Sequence, residues 1–202
     1  MNLNTRPSID TAERDTILVL DFGSQYTQLI ARRVRELNVY SEILPWDISS
    51  DRIKEVNPKG VILSGGPESV TNNYTPRAPE IIFALGIPIL GICYGMQTLA
   101  EQFGGQVTSS KIKEFGHAQI TIENTSSLFE GFDIGSNIDV WMSHGDHVSS
   151  LPDTFNLIAS TESAPIAAME HAKKLIYALQ FHPEVTHTKE GSRVLENFVI
   201  KI

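Results

Sequence analysis

Cysteine is nearly missing from this chain of 202 residues, which has only Cys93. A lone thiol excludes an internal disulfide framework and fits a reducing compartment, so a cytoplasmic location is expected. Positive charge is also scarce. The 16 Lys and Arg stand against 24 Asp and Glu, for a formal net charge of -8, which argues against a nucleic-acid partner because such partners need a basic face. Long apolar runs are absent too, so neither a membrane span nor a membrane partner is expected, and residues 1–15 are polar with mixed charges rather than a signal peptide. That head is expected to be a flexible tail before one domain over 16–202. Metal ligands are sparse: His144 and His147 lie three apart and His182 and His187 five apart, with no second cluster, so no metal site is expected. With 41% hydrophobic and 20% charged residues, the chain is long enough for one well-buried core and too short for two large domains. No repeat, low-complexity tract or interdomain linker is evident.

The single cysteine sits in an informative place. In Ile89-Leu90-Gly91-Ile92-Cys93-Tyr94-Gly95-Met96-Gln97 an apolar strand breaks at glycines and runs into a helix, a G-x-C-x-G version of the nucleophile elbow. A side chain at the tip of so sharp a turn has crowded, strained backbone around it, and Gly91 and Gly95 remove Cβ atoms that would clash. The helix from about Tyr94 to Gln102 directs its positive end at the sulfur, which favours thiolate over thiol. The backbone N–H of Tyr94 can stabilise an oxyanion.

A nucleophile needs a base. Of six histidines, His182 stands at the end of the apolar segment Leu175 to Phe181, followed by Pro183 and Glu184. An extended backbone there puts His182 and Glu184 on the same side, so the carboxylate can orient the imidazole while the imidazole takes the proton of Cys93. A third piece is Gly60-Val61-Ile62-Leu63-Ser64-Gly65-Gly66-Pro67-Glu68-Ser69, a buried strand ending in a glycine turn whose free N–H groups can complete an oxyanion hole. The same turn is close to the Ser-Gly-Gly-x-Asp-Ser phosphate loop of ATP pyrophosphatases. That reading is rejected, because Pro67 removes an N–H donor and Thr71 to Pro76 reads as loop rather than helix.

Periodicity places strands at Thr16 to Asp21, Val39 to Leu44, Gly60 to Ser64 and Pro88 to Cys93, with helices after Tyr26, over Ile48 to Val56, over Pro79 to Leu85 and after Cys93. Tyr26, Leu29, Ile30, Val34 and Leu37 share one helical face, leaving Arg32, Arg33 and Arg35 as a solvated face. Continuous apolar strands alternating with helices predict an α/β fold, with a mostly parallel central sheet and helices on both faces. Ligands of such sheets bind beyond the carboxyl ends of the strands, where Gly66, Cys93 and His182 are predicted to meet. After Gly105 shorter β segments follow: Ala118 to Glu123, Asp139 to Trp141, Phe155 to Ser160, Ile166 to Glu170 and Leu175 to Phe181. Gly191 to Ile202 is predicted as a terminal helix.

Taken together, Ser64-Gly65-Gly66-Pro67, Gly91-Ile92-Cys93-Tyr94-Gly95-Met96-Gln97 and Phe181-His182-Pro183-Glu184 resemble the class I (triad) glutamine amidotransferases. Within that family Asp21 to Gln28 and Trp141-Met142-Ser143-His144-Gly145-Asp146 are similar to the glutaminase domains of GMP synthetases. The likeness runs from about Ile17 to the C-terminus, without departure at a catalytic position. It implies a flavodoxin-like fold and the hydrolysis of glutamine to glutamate and ammonia, which would be delivered to adenylylated xanthosine monophosphate. It implies Cys93 as the nucleophile that forms a γ-glutamyl thioester, His182 as general acid/base, Glu184 as its partner, and Gly66 and Tyr94 as oxyanion donors. Gln97 would face the glutamine, Ser143, Gly145 and Asp146 would grip its backbone, and Glu68 would meet its amino group.

The resemblance implies no cofactor in this domain. ATP and Mg belong to a synthetase (ATP pyrophosphatase) domain, expected as a partner in cis or in trans. No second Ser-Gly-Gly-x-Asp-Ser loop occurs, so the chain is expected to be an excised domain or a separate subunit, with motifs closer to the fused form. The competing readings are a stand-alone cysteine γ-glutamyl hydrolase of the same fold and a silent binding module, the latter opposed by the intact Cys93, His182 and Glu184 set.

Overall fold

The computed structural model describes residues 14–202, except for the side chains of 110–112. The tail expected over 1–15 therefore lies almost wholly outside the described residues. Strand β1 (Thr16–Asp21) is followed by helix α1 (Thr27–Glu36), β2 (Tyr40–Pro45), α2 (Ser50–Val56), β3 (Gly60–Leu63), α3 (Ile81–Ala84), β4 (Ile89–Ile92) and α4 (Tyr94–Gln102). The second half holds β5 (Gln106–Ile122), β6 (Asn137–Ser150), β7 (Phe155–Ser160), β8 (Ala168–His171), β9 (Ile176–Leu179) and the short helix α5 (Gly191–Glu196). All nine strands form one sheet in the order β2-β1-β3-β4-β9-β8-β7-β5-β6. Pairing is parallel from β2 through β1, β3 and β4 to β9, and antiparallel among β9, β8, β7, β5 and β6. The α/β class expected from the strand and helix pattern is the one formed, and the extra β segments of the C-terminal half extend the same sheet.

Alternation along β1 explains the layers. Ile17 and Val19 face a core that includes Ile30, Ala31 and Val34 of α1 and Val194 and Leu195 of α5. Leu18 and Leu20 face the opposite core, with Ile53 of α2, Ile82 of α3 and Met96 and Leu99 of α4. A period of two in a fully buried strand thus serves two helical layers. Helix α2 starts where Ser49 accepts a hydrogen bond from the Arg52 N–H at 3.2 Å and ends at Asn57 in the left-handed region (φ 47°).

The largest departure from expectation is the length of β5 and β6. Sequence patterning located only Ala118 to Glu123 and Asp139 to Trp141, yet the two strands pair from Gln106↔Ser150 to Thr121↔Asn137, with irregular register at Gln106/Val107 and Ser109/Glu114. The inward positions of β6 run Ile138, Val140, Met142, His144, so the period of two continues but lands on a histidine. A polar residue in the buried register hides the strand from a hydrophobicity pattern, and the ladder of backbone hydrogen bonds holds it instead. At the C-terminus, the expected helix is α-helical only to Glu196 and widens into a π turn over Asn197–Lys201. There the buried Asn197 amide donates to the carbonyls of Leu128 and Glu130 at 3.0 and 3.1 Å.

Candidate active site

Cys93 lies between β4 and α4 with φ 53° and ψ -104°, a conformation that costs a non-glycine residue on the order of 1–3 kcal/mol. Packing enforces it. A Cβ on Gly91 would stand 2.6 Å from the Gly95 carbonyl oxygen, and one on Gly95 would stand 2.4 Å from the Leu63 carbonyl oxygen. Only glycines let α4 press this closely on β3 and β4. The Cys93 N–H donates to Leu179 of β9 at 2.7 Å and the Gly95 N–H to Ser64 at 3.1 Å, so the elbow is tied to both flanking strands. As the first residue of α4, Tyr94 has no carbonyl within the helix for its N–H.

His182 follows β9 by three residues. Its N–H donates to Trp141 at 3.0 Å, its carbonyl accepts from the Thr188 hydroxyl at 2.6 Å, and its ring Nδ1 meets Glu184 Oε1 at 2.7 Å. The two side chains meet as expected, but across a turn rather than along an extended strand, because β9 ends at Leu179 and Pro183 and Glu184 lie in the turn that follows. Burial works against the charged imidazole. Hydrogen bonds to Cys93 and Glu184, reinforced by their negative charge, outweigh it and push His182 up to about 10. The ring also stands edge-on to Tyr26, with centroids 5.1 Å apart, and Gly65 approaches it so closely that a Cβ there would be 3.3 Å from Cε1.

Arg33 corrects the reading of a wholly solvated arginine face. Its Nε donates to the Glu184 carbonyl at 3.0 Å, tying α1 to the turn behind His182, while Arg32 remains exposed. Spacing on a helix identifies a face but not what a long side chain at the face's edge will reach.

Nine of the ten residues predicted for the site line one cavity of about 520 Å³, and the tenth, Glu184, is fully buried behind His182. Ser143, Gly145 and Asp146 come from the middle of β6, which continues past the Asp139 to Trp141 segment expected from the sequence. The Ser143 carbonyl oxygen lies 3.6 Å from the Cys93 sulfur. Gln97 lines the cavity, but its amide nitrogen donates to the Asp146 carbonyl at 2.8 Å. Glu68 is at the exposed rim.

Sequence reasoning missed four contributors from the β5–β6 arm, Ser109, Lys113, Phe115 and His144, which line the same cavity. It also missed Glu114, whose Oε2 stands 3.1 Å from Nε2 of the buried His144 and whose carboxylate meets the Ser163 hydroxyl. Burial holds His144 below its usual range, opposed by Glu114. Gln180 was missed as well, although a glutamine within the otherwise apolar segment Leu175 to Phe181, two residues before His182, was a signal available in the sequence. Among the described residues no group of three or more His, Cys, Asp or Glu side chains is arranged to hold a metal ion.

The family model for glutamine amidotransferase class-I matches residues 18–202. The chain belongs to that family. The amidotransferase is 60% identical over 192 residues to the GMP synthase [glutamine-hydrolyzing] of Methylococcus capsulatus and 58% identical over 192 residues to that of Teredinibacter turnerae. Each match covers 92% of this chain and 37% of the relative, so the chain spans little more than a third of the curated proteins it resembles. Among solved structures, that of a GMP synthase subunit from Thermoplasma acidophilum superposes with a TM-score of 0.80 at 35% identity, covering 92% of both chains. In this amidotransferase no helix among the described residues is long and apolar enough to cross a membrane.

Proposed function

We propose that this amidotransferase hydrolyses glutamine to glutamate and ammonia through a thioester on Cys93, and that the ammonia serves an ATP-dependent synthetase domain converting xanthosine monophosphate to GMP. The observation that carries the chemistry is the elbow cysteine in strained backbone facing a buried imidazole whose other nitrogen is held by Glu184 at 2.7 Å. The Cys93 sulfur attacks the side-chain carboxamide carbon, and the developing oxyanion is met by the N–H groups of Gly66 and Tyr94. The charged His182 gives its proton to the leaving nitrogen as the carbon–nitrogen bond breaks, releasing ammonia. Water then loses a proton to His182, adds to the thioester carbon and releases glutamate, restoring the sulfur. Glu184 keeps the imidazole oriented and supports its cationic form throughout. Ser143, Gly145 and Asp146 on β6, with Gln97 behind them and Glu68 at the rim, form the side of the cavity that receives the amino-acid end of glutamine.

The link to GMP rests on relatives named as GMP synthases at 58–60% identity, which also argue against a stand-alone γ-glutamyl hydrolase. The synthetase domain, in cis or in trans, supplies the ATP and Mg chemistry, while this domain carries out its step with side chains and backbone alone. A cytoplasmic setting follows from the same reading. The test is intact-mass labelling with a glutamine-like chloroketone. We expect one adduct, absent in Cys93→Ala, that glutamine blocks and asparagine does not. An adduct indifferent to glutamine would overturn the reading.

A further inference from the structure

One buried polar side chain beside the sulfur has no place in this hydrolytic cycle. Gln180 is fully buried just past the end of β9, and its amide nitrogen lies 3.8 Å from Cys93 Sγ, within reach of a long hydrogen bond to sulfur. Its amide oxygen faces Gln97 Nε2 at 3.5 Å. Which way the Gln180 amide points is decided two residues away. The Asp146 carbonyl can only accept, so it requires the nitrogen of Gln97, at 2.8 Å. That same nitrogen then requires the oxygen of Gln180, which leaves the Gln180 N–H₂ turned to the sulfur. A reversed Gln180 amide would set two N–H₂ groups against each other and a carbonyl oxygen against a developing thiolate.

We propose that Gln180 is a catalytic hydrogen-bond donor to the Cys93 sulfur, oriented by a relay that begins at the Asp146 carbonyl and passes through Gln97. The proposal rests on Cys93 being the nucleophile. It assigns Gln97 a task different from facing the substrate: its amide nitrogen sets the polarity of the relay. A donor aimed at sulfur stabilises the anionic form and restricts where the sulfur can sit, and a buried amide does so without water competing for the bond. Because Asp146 belongs to the strand that lines the glutamine side of the cavity, the relay also joins the substrate-facing strand to the nucleophile by three consecutive polar contacts.

The experiment is the pH profile of iodoacetamide alkylation, read by intact mass on the full chain. Every adduct on the thiol reports Cys93, since the chain has one cysteine. The histidines and charged groups that share the cavity with the sulfur, His144, His182, Glu68, Asp146 and Lys113, stay the same in every variant compared. Gln180→Met keeps the length and loses the donor, and its profile midpoint should move up by about 1 pH unit, the size of one hydrogen bond to a charged group. Gln180→Glu, which sets a carboxylate against the sulfur, should move it further. Gln97→Ala should move it in the same direction by less, since it frees the Gln180 amide to turn. Far-UV circular dichroism and a thermal melt establish that each variant is folded, and if Gln180→Met is not, Gln180→Glu and Gln97→Ala carry the test. Midpoints that superimpose on that of the native chain in folded Gln180 variants would overturn the proposal. Chloroketone labelling of the native chain without glutamine protection would instead overturn the glutamine site, a failure distinguishable from the first because it needs no Gln180 variant.

Discussion

The two halves of the sheet supply the site in different ways. The parallel half, β2-β1-β3-β4-β9, delivers its contributions at strand ends: the Ser64 to Gly66 turn after β3, Cys93 after β4, and Gln180 and His182 after β9. The antiparallel half delivers Ser143, Gly145 and Asp146 from the middle of β6, with Lys113 and Phe115 from β5. In the parallel half the chain must turn tightly into a loop or helix, so glycines and a strained residue mark the spot. In the antiparallel half a long two-stranded arm is laid beside the cavity, and no single residue has to be unusual. The elbow at Cys93 is therefore held rigidly by packing, while the β5–β6 wall of the cavity is held mainly by ladder hydrogen bonds.

The comparison can be broken most forcefully at Cys93. Cys93→Gly should abolish glutamine hydrolysis yet raise stability by about 1 kcal/mol, because glycine relaxes the φ of 53°. Activity assay and chemical denaturation check the two signs together, and a destabilised glycine variant would show that the elbow is not strained.

Next in size is Glu184→Gln, expected to lower kcat on the order of 10²- to 10⁴-fold by removing the partner that orients and charges His182. It has a pH signature. The folded value of His182, about 10, lies above its unbound value of 6.5, so the stabilisation is fully present below about 6.5 and is lost as pH rises through about 10. The difference in Tm between native protein and Glu184→Gln should therefore narrow across that window. A constant difference would detach Glu184 from the charge on His182.

A matched pair of glycines sharpens the contrast between the halves. Gly95→Ala places a methyl 2.4 Å from the Leu63 carbonyl oxygen and should cost about 3 kcal/mol or prevent folding. In Gly145→Ala the methyl meets only the Lys113 stem at 3.6–3.8 Å, so the melt should stay within about 0.5 kcal/mol of native while KM for glutamine rises. Equal destabilisation by the two would erase the distinction between a packed elbow and a permissive wall.

Legibility in the sequence followed the same division. β1, β3, β4 and α4 were readable because nearly all their residues are buried, in α4 without a break from Tyr94 to Ala100, and burial goes with residue type. The elbow was readable because close approach demands glycine at Gly91 and Gly95. The inner half of β6 was not readable: His144 occupies a buried register position, with Glu114 across the ladder, and a pairing between residues so distant in the chain leaves no local pattern. Arg33 illustrates a third case. It is read correctly as lying on a helix edge, but its hydrogen bond to the Glu184 carbonyl spans 151 positions of chain.

By itself the sequence determined the alternating α/β frame, the elbow at Cys93, the His182 and Glu184 pair and the family, since each is written in adjacent residues whose burial or backbone geometry admits few substitutes. Tertiary structure alone decided that β5 and β6 form one arm along the cavity, that Glu184 is shielded from solvent behind His182, and that the Gln97 and Gln180 amides point as they do. The physical reason is that hydrogen-bond direction and strand register depend on which distant groups the fold brings face to face, and no spacing along the chain encodes that meeting.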